Sequence, residues 1–332
     1  MTLRALLDPL RLAQRDFDGD TVRRALGTLL APDATVHLAH PFEDLGGVDE
    51  FVGRALAPLA DAFPDLERRD LIVMDGATRA GAHWVGCGGY WTGTFARPFL
   101  DIPPTGHQAA MRFHEFHRVE DGRVVEVQAL WDIPELMMQA GVWPMVPSLG
   151  REWHVPGPAT QDGLDPSERD RARAEESLAL VGDMLVHLSK FASEGVEGMA
   201  LERFWHPAFS WYGPSGIGTC RGIAGFRNWH QIPFLNAMPD RTGGTAGAGH
   251  LFGDGDYVGF TAWPGMNMSL TGDGWLGIAP SGKLLTMRSL DFWRCQGSLI
   301  RENWVLVDLL HVYAQLGVDV LARMRELGKA RS

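Results

Sequence analysis

The stretch Ile102-Pro103-Pro104-Thr105-Gly106 returns 176 positions later as Ile278-Ala279-Pro280-Ser281-Gly282. Its surroundings return with it. Phe99-Leu100 answers Trp275-Leu276, Arg118 answers Arg294, Glu126 answers Glu302, Asp132 answers Asp308, and Gln139-Ala140-Gly141 answers Gln315-Leu316-Gly317. Further upstream the offset is 175: Gly47, Val48 and Phe51 answer Gly222, Ile223 and Phe226, and Pro58, Pro64 and Asp65 answer Pro233, Pro239 and Asp240. Prolines and glycines fix backbone geometry, so an offset held through them marks one domain written twice. The expected division is 1–145 for the first copy, 146–168 for a Pro- and Gly-rich linker, and 169–332 for the second copy.

Within a copy the periodicity changes from helical to alternating. Leu3 to Leu30 reads as two helices broken near Asp18-Gly19-Asp20, Ala34 to Leu38 as a short strand, and Val48 to Phe63 as a helix closed by Pro64. Strands follow over Arg68 to Val73, Ala80 to Thr94 and Ala109 to Val119. Asp121-Gly122 is a tight hairpin turn into Val124 to Trp131, and a short helix runs from Ile133 to Gly141. A long helix is expected from Ser167 to Ser193, after which the pattern repeats. Helices grouped beside a long antiparallel sheet give an α+β fold, and a curved sheet wrapped on helices leaves a concave interior that suits a small molecule.

Composition narrows the function. The chain of 332 residues is 45% hydrophobic and 21% charged, with a net charge of -11. That balance argues against nucleic acid or an anionic membrane surface as partner, since both need clustered Lys and Arg. Cys87, Cys220 and Cys295 are scattered, and the start of the chain meets Pro9, Arg11 and Arg15 before any long apolar run. Both features point to a reducing, cytoplasmic setting. No glycine-rich phosphate loop follows a strand, so no cofactor is expected. His37 and His40, like His114 and His117, are three apart, which on a strand turns them to opposite faces; no metal site is expected.

The loops Phe99 to Gly106 and Trp275 to Lys283 carry a family resemblance. So do the hairpins Phe116 to Val124 and Phe292 to Ile300, and the endings Gln139-Ala140-Gly141 and Gln315-Leu316-Gly317. Each half resembles the SnoaL-like polyketide cyclases of the nuclear-transport-factor-2-like superfamily. The resemblance implies two tandem cone-shaped α+β barrels forming a pseudo-dimer within one chain, with further oligomerisation open. It also implies a small-molecule enzyme of cyclase, isomerase, lyase or hydrolase type. In that family a site histidine stands beside an aspartate on the next strand. That aspartate falls on Ala129 in the first half and Val305 in the second. Ring closure by the family's own mechanism is therefore in question, and a non-catalytic ligand-binding protein is the alternative reading.

Strand parity supplies other acids. Met111, Phe113 and Val119 define an apolar face that also carries Glu115 and His117, and the matching face of the second half carries Asp291 and Trp293. A carboxylate desolvated there has its pKa raised toward neutrality and can exchange a proton with a carbon next to a carbonyl. Asp291, Glu115 and His117 are the catalytic candidates. Each has a structural counterpart: backbone or arginine partners for the acids, a solvent-edge position for the histidine. Asp132 and Asp308 read as helix caps, and His107 and Lys283 as residues of the rim. Trp293, Trp211, Tyr212, Trp263, Met266, Met268, Trp304 and Trp131 are candidates for binding an apolar carbonyl or ester compound. The second half is richer in such side chains and is expected to be the more specialised for a ligand.

Overall fold

Long strands buried along nearly their whole length, and so covered on both faces, build one sheet packed with helices, and this happens twice. The computed structural model of the chain describes residues 2–243 and 249–329. In the first unit, α1 (Asp8–Arg15) and α2 (Gly19–Leu29) precede β1 (Leu30–Leu38) and β2 (Glu43–Gly46). A composite helix follows, made of α3 (Gly47–Phe51), a π-helical turn (Val52–Leu56) and α4 (Ala57–Ala62). Then come β3 (Glu67–Ala77), β4 (His83–Thr94), β5 (Gln108–Glu120), β6 (Arg123–Trp131) and α5 (Ile133–Gln139). The Asp121-Gly122 turn has both residues at positive φ, 48° and 75°, as a two-residue hairpin of this hand requires.

The second unit has α6 (Arg171–Leu188), α7 (Phe191–Gly198), α8 (Leu201–Phe204), β7 (Trp205–Tyr212) and β8 (Thr219–Arg221). Its composite helix is α9 (Gly222–Phe226), a π-helical turn (Arg227–Gln231) and α10 (Ile232–Ala237). The sheet continues with β9 (Thr242–Gly243), β10 (His250–Asp254), β11 (Tyr257–Ser269), β12 (Leu284–Gln296) and β13 (Leu299–Val307), followed by α11 (Leu309–Gln315). The strand orders are β2-β1-β6-β5-β4-β3 and β10-β11-β12-β13-β7-β8, which are one topology twice. In each, a single parallel pair, β1 with β6 and β7 with β13, joins otherwise antiparallel strands.

The recurring residues are those that hold this topology. Arg118 meets Glu126 at 2.8 Å as Arg294 meets Glu302 at 2.5 Å. Asp65 accepts from the Thr94 amide as Asp240 accepts from that of Ser269. Gln139 bonds the backbone of Ala110, and Gln315 that of Thr286. The loop quoted first closes on itself through a Phe99–Ile102 bridge, matched by Trp275–Ile278, with Leu100 and Leu276 at φ 52° and 49°. Asp308 caps α11 by accepting from the His311 amide at 3.1 Å and also holds Arg288 at 3.0 Å. Asp132 meets Arg112 at 3.4 Å, so in the first copy the expected cap is an ion pair.

Two boundaries differ from the expected ones. The first unit comprises Met1–Pro144, Gly157–Glu168 and Val318–Ser332; the second comprises Met145–Pro156 and Arg169–Gly317. The Pro/Gly-rich stretch is thus divided between the units, because its backbone is hydrogen-bonded. The Val73 amide donates to Gly163 O at 2.8 Å in the first unit, and Trp304 Nε1 donates to Pro156 O at 2.9 Å in the second. Gly163 is needed there, since a Cβ would lie 2.2 Å from Leu71 O. A further helix, α12 (Val320–Lys329), belongs to the first unit, where Arg325 meets Asp101 at 3.0 Å. The long helix expected from Ser167 begins instead at Arg171, because Asp170 accepts from the amides of Ala172 and Arg173. Among the described residues no helix is long and apolar enough to cross a membrane.

Candidate active site

Residues opposite one another on paired strands share a face of the sheet. In the first unit the row through Glu115 runs from Cys87 on β4 to Ala129 on β6, and the row through Phe113 runs from Gly89 to Trp131. Arg68 and Asp70 on β3 lie opposite Trp91 and Gly89. Helix α1 covers this face: Gln14 accepts from Arg68 at 3.1 Å, and Arg11 meets Asp70 at 2.8 Å.

Glu115 is buried and ionically satisfied. Its Oε2 accepts from Arg68 Nη1 at 2.6 Å, and Trp131 Nε1 approaches Oε1 at 3.5 Å. Arg68 also bonds Asp70 at 3.0 Å and lies over the Phe113 ring at 4.2 Å. Burial works against the charge of Arg68, but Asp70 and Glu115 outweigh it and raise its pKa. His117 is on the same face and buried. Burial pushes its pKa down to about 4, with Glu115 only partly opposing, so near neutral pH the ring is uncharged. Its Nδ1 is buried without a hydrogen-bond partner. The carboxylate of Glu115 is engaged by Arg68 and Trp131 rather than orienting this histidine. The first unit thus brings Glu115, His117 and Trp131 together, in an interior whose acid is already paired. His117 lies within the unit, not at the solvent edge.

The second unit treats the equivalent position differently. Asp291 on β12 lies opposite Phe260 on β11 and Val305 on β13. Its oxygens accept from Ser289 Oγ at 3.1 and 3.2 Å. Burial pushes its pKa up to about 8, against the smaller opposing effect of the Ser289 bond. The next row on the same face is Trp293, Asn303 and Trp211. Trp293 Nε1 is buried with no hydrogen-bond partner. The Trp211 ring stacks on His230 at 4.0 Å, and His230 in turn packs on Phe226 and Phe234 at 5.5 and 5.7 Å. Burial, and secondarily Arg241, push the His230 pKa down to about 3. Met266 and Met268 face the same way, opposite Met287 and Leu285. Asp291 keeps 9% and Val305 8% of their exposure, against 4% for Glu115 and 0% for Ala129.

Three expected binding residues are elsewhere. Tyr212 and Trp304 lie on the reverse face of the sheet, their rings 5.3 Å apart, with the Tyr212 hydroxyl donating to Glu302 at 3.3 Å. Trp263 is also on the reverse face, where the Arg288 guanidinium lies over its ring at 4.4 Å. The physical reason is strand parity: each is one residue out of step with the face that carries Asp291.

Arg68, Asp70 and Arg241 are not singled out by strand parity, which does place Ser289 on the Asp291 face but without a role. The repeat itself holds the signal. At the same offsets Arg68 corresponds to Gly243, Leu66 to Arg241, Ala55 to His230 and Phe113 to Ser289. The pairing agrees, since Gly243 lies opposite Met266 as Arg68 lies opposite Trp91. Positions where one copy is charged and the other apolar are the ones that set the two interiors apart.

Residues 12–140 match the family model of the SnoaL-like polyketide cyclases. None of the curated proteins matches the chain significantly. Among solved structures, IdmH from Streptomyces antibioticus is 24% identical, covering 42% of this chain and 99% of its own, with a TM-score of 0.36. A nuclear-transport-factor-2-like protein from Burkholderia thailandensis is 19% identical, covering 42% and 98%, with a TM-score of 0.33. A protein of ketosteroid isomerase-like fold from Catenulispora acidiphila, in complex with trimethylamine, is 14% identical, covering 41% and 92%, with a TM-score of 0.32. The first unit is thus similar to the SnoaL-like polyketide cyclases over residues 12–140, and the chain carries one α+β strand topology twice in tandem.

Proposed function

We propose that the second unit is a cofactor-independent acid/base enzyme acting on an apolar carbonyl or ester compound, with Asp291 as its proton-transfer group. One observation carries this reading. Asp291 is a carboxyl buried among Phe260, Val305 and Trp293, and its side chain bonds the hydroxyl of Ser289 and, among the described residues, no cation. With a pKa of about 8, both its forms are populated near neutral pH. The ionised form takes a proton from the carbon next to a carbonyl and leaves an enolate. The neutral form returns that proton to the same or a conjugated carbon. Trp211, Trp293, Met266 and Met268 supply the apolar walls, and the cytoplasm suits three cysteines that are all free thiols. In the first unit Glu115 is reserved by Arg68, and we assign it to holding the fold.

The assay is hydrogen exchange at carbon. Indanone in deuterium oxide loses its α-proton resonance as deuterium enters. The protein should speed that loss over buffer, Asp291→Asn should abolish the acceleration, and Glu115→Gln should keep it. Exchange at the buffer rate, or an undiminished rate in Asp291→Asn, removes Asp291 from the chemistry.

A second reading rests on Val305, which stands opposite Asp291 where a proton-transferring aspartate would stand in the family. On that reading the unit binds its ligand and does not transform it. Ketone that binds but stays undeuterated would favour it.

A further inference from the structure

The second unit carries a cation that no carboxylate among the described residues neutralises. Arg241 follows α10 and enters the interior at its Met266 end, with Nη1 3.7 Å from Met266 Sδ and Nη2 donating to Leu188 O at 3.2 Å. Its Nε is buried and has no hydrogen-bond partner. Among the described residues no carboxylate pairs with it, and its pKa is lowered by burial alone. The corresponding residue of the first unit is Leu66, buried like the rest of that core. The two copies thus share a backbone, yet one has leucine where the other has an unpaired guanidinium.

The adjacent carboxylate, Asp240, is exposed and accepts from the Ser269 amide rather than pairing with Arg241. His230, close enough to sense its charge, is neutral near pH 7. Asp291 senses burial and Ser289 but not Arg241. Met287, the cross-strand partner of Met266, is four residues from Asp291 on the same face, about 13 Å along the strand. The row of Trp293 and Trp211 lies one step beyond Asp291, with His230 stacked on Trp211, and Trp293 Nε1 and His230 Nδ1 are buried without hydrogen-bond partners. Burying a cation without a counter-charge is costly, and a bound anion removes that cost.

We propose that the second unit takes an organic acid: an elongated aromatic or polycyclic carboxylate whose acid group sits on Arg241 and whose reacting carbon lies toward Asp291. This rests on the reading of that interior as a substrate site and narrows it to anionic compounds. The guanidinium offers the paired donors that a carboxylate accepts, and the aromatic walls hold the ring system.

The probe is naphthoate, compared with naphthamide, which has the same shape and no charge. Binding is read from quenching of tryptophan emission and by calorimetry on the full chain. Wild-type protein should prefer naphthoate by about tenfold or more, and Arg241→Gln should bring the ratio of the two affinities to about one. Arg241→Lys should recover part of the preference. In the absence of any probe, Arg241→Met should melt no lower than wild type, because the desolvation of a cation without a counter-charge outweighs its one bond to Leu188 O. Equal affinities in the wild type, failure of either compound to bind, an acid preference that survives Arg241→Gln, or a lowered melting point in Arg241→Met overturns the proposal. The indanone assay decides separately on Asp291. Exchange without acid preference leaves the enzyme reading and removes the anchor. Acid preference without exchange does the reverse.

Discussion

Replacing Asp291 by Asn should change how stability depends on pH, whatever the substrate. The carboxyl titrates near 3.8 when unfolded and at about 8 in the folded chain. The folded state therefore binds the proton more tightly, and stability falls as pH rises between those two values. Each pH unit in that window costs about 1.4 kcal/mol, so ~4 kcal/mol is lost by pH 7 and nearly ~6 kcal/mol above the folded pKa. These are ceilings, since relaxation around the charge lowers them. Asparagine cannot ionise, fits the same volume and still accepts from Ser289. Asp291→Asn should match wild type at about pH 4 and exceed it by several kcal/mol at about pH 8. The assay is urea unfolding at a series of pH values, read as the difference between the two proteins. That difference matters because other groups titrate too. His117 and His230, depressed to about 4 and about 3, withdraw stability as pH falls below their unfolded pKa near 6.5. Their contributions are common to both proteins and cancel. Parallel profiles for wild type and Asp291→Asn would mean that Asp291 is solvated or paired, and the proposed chemistry would lose its proton carrier.

Removing Arg68 tests the opposite arrangement in the first unit. Arg68→Met leaves Glu115 and Asp70 buried without their shared cation and should cost about 3–5 kcal/mol, measured as a lower urea midpoint. A loss below about 1 kcal/mol would show that those acids find water or another partner. The cysteines should be inert in the folded chain: burial pushes Cys87 and Cys220 up to about 12 and Cys295 up to about 11. A thiol-reactive dye should label them at the rate of unfolding, and immediate labelling of any one would contradict its burial.

The duplicated layout could be read from residues alone because the repeated ones hold the backbone. Asp65, Gln139, Arg118 and Glu126 each make the same bond as their counterparts, so they recur with the topology. Parity along one strand was enough to group Glu115 with His117, and Asp291 with Trp293. It could not say which acid was paired. That depends on Arg68, two strands away and 47 residues earlier, and on its absence at Gly243. Tyr212, Trp304 and Trp263 were chosen for aromatic character without counting their parity, and they fall on the reverse face. Arg241 gave no periodic signal, being a single residue at a helix end. It becomes visible when the two copies are compared residue by residue.

That comparison also says why the two acids should be read differently. Glu115 is gripped by an arginine 2.6 Å away, and removing either member would leave the other buried without its counter-charge. It stabilises that partner and is poorly placed to exchange protons. Among the described residues Asp291 has no such partner, and near neutral pH its ionisation should withdraw up to ~4 kcal/mol, a sizeable part of the 5–15 kcal/mol that typically holds a domain together. Asparagine, serine or valine would fit the same site without that penalty. A buried acid held by one hydroxyl and by no cation among the described residues breaks the local rule against unpaired buried charges, and such a residue belongs where structure has yielded to function. The same logic extends to Arg241. Two buried ionisable groups of opposite tendency, kept apart in one interior rather than paired, match a ligand that meets both far better than they match a core.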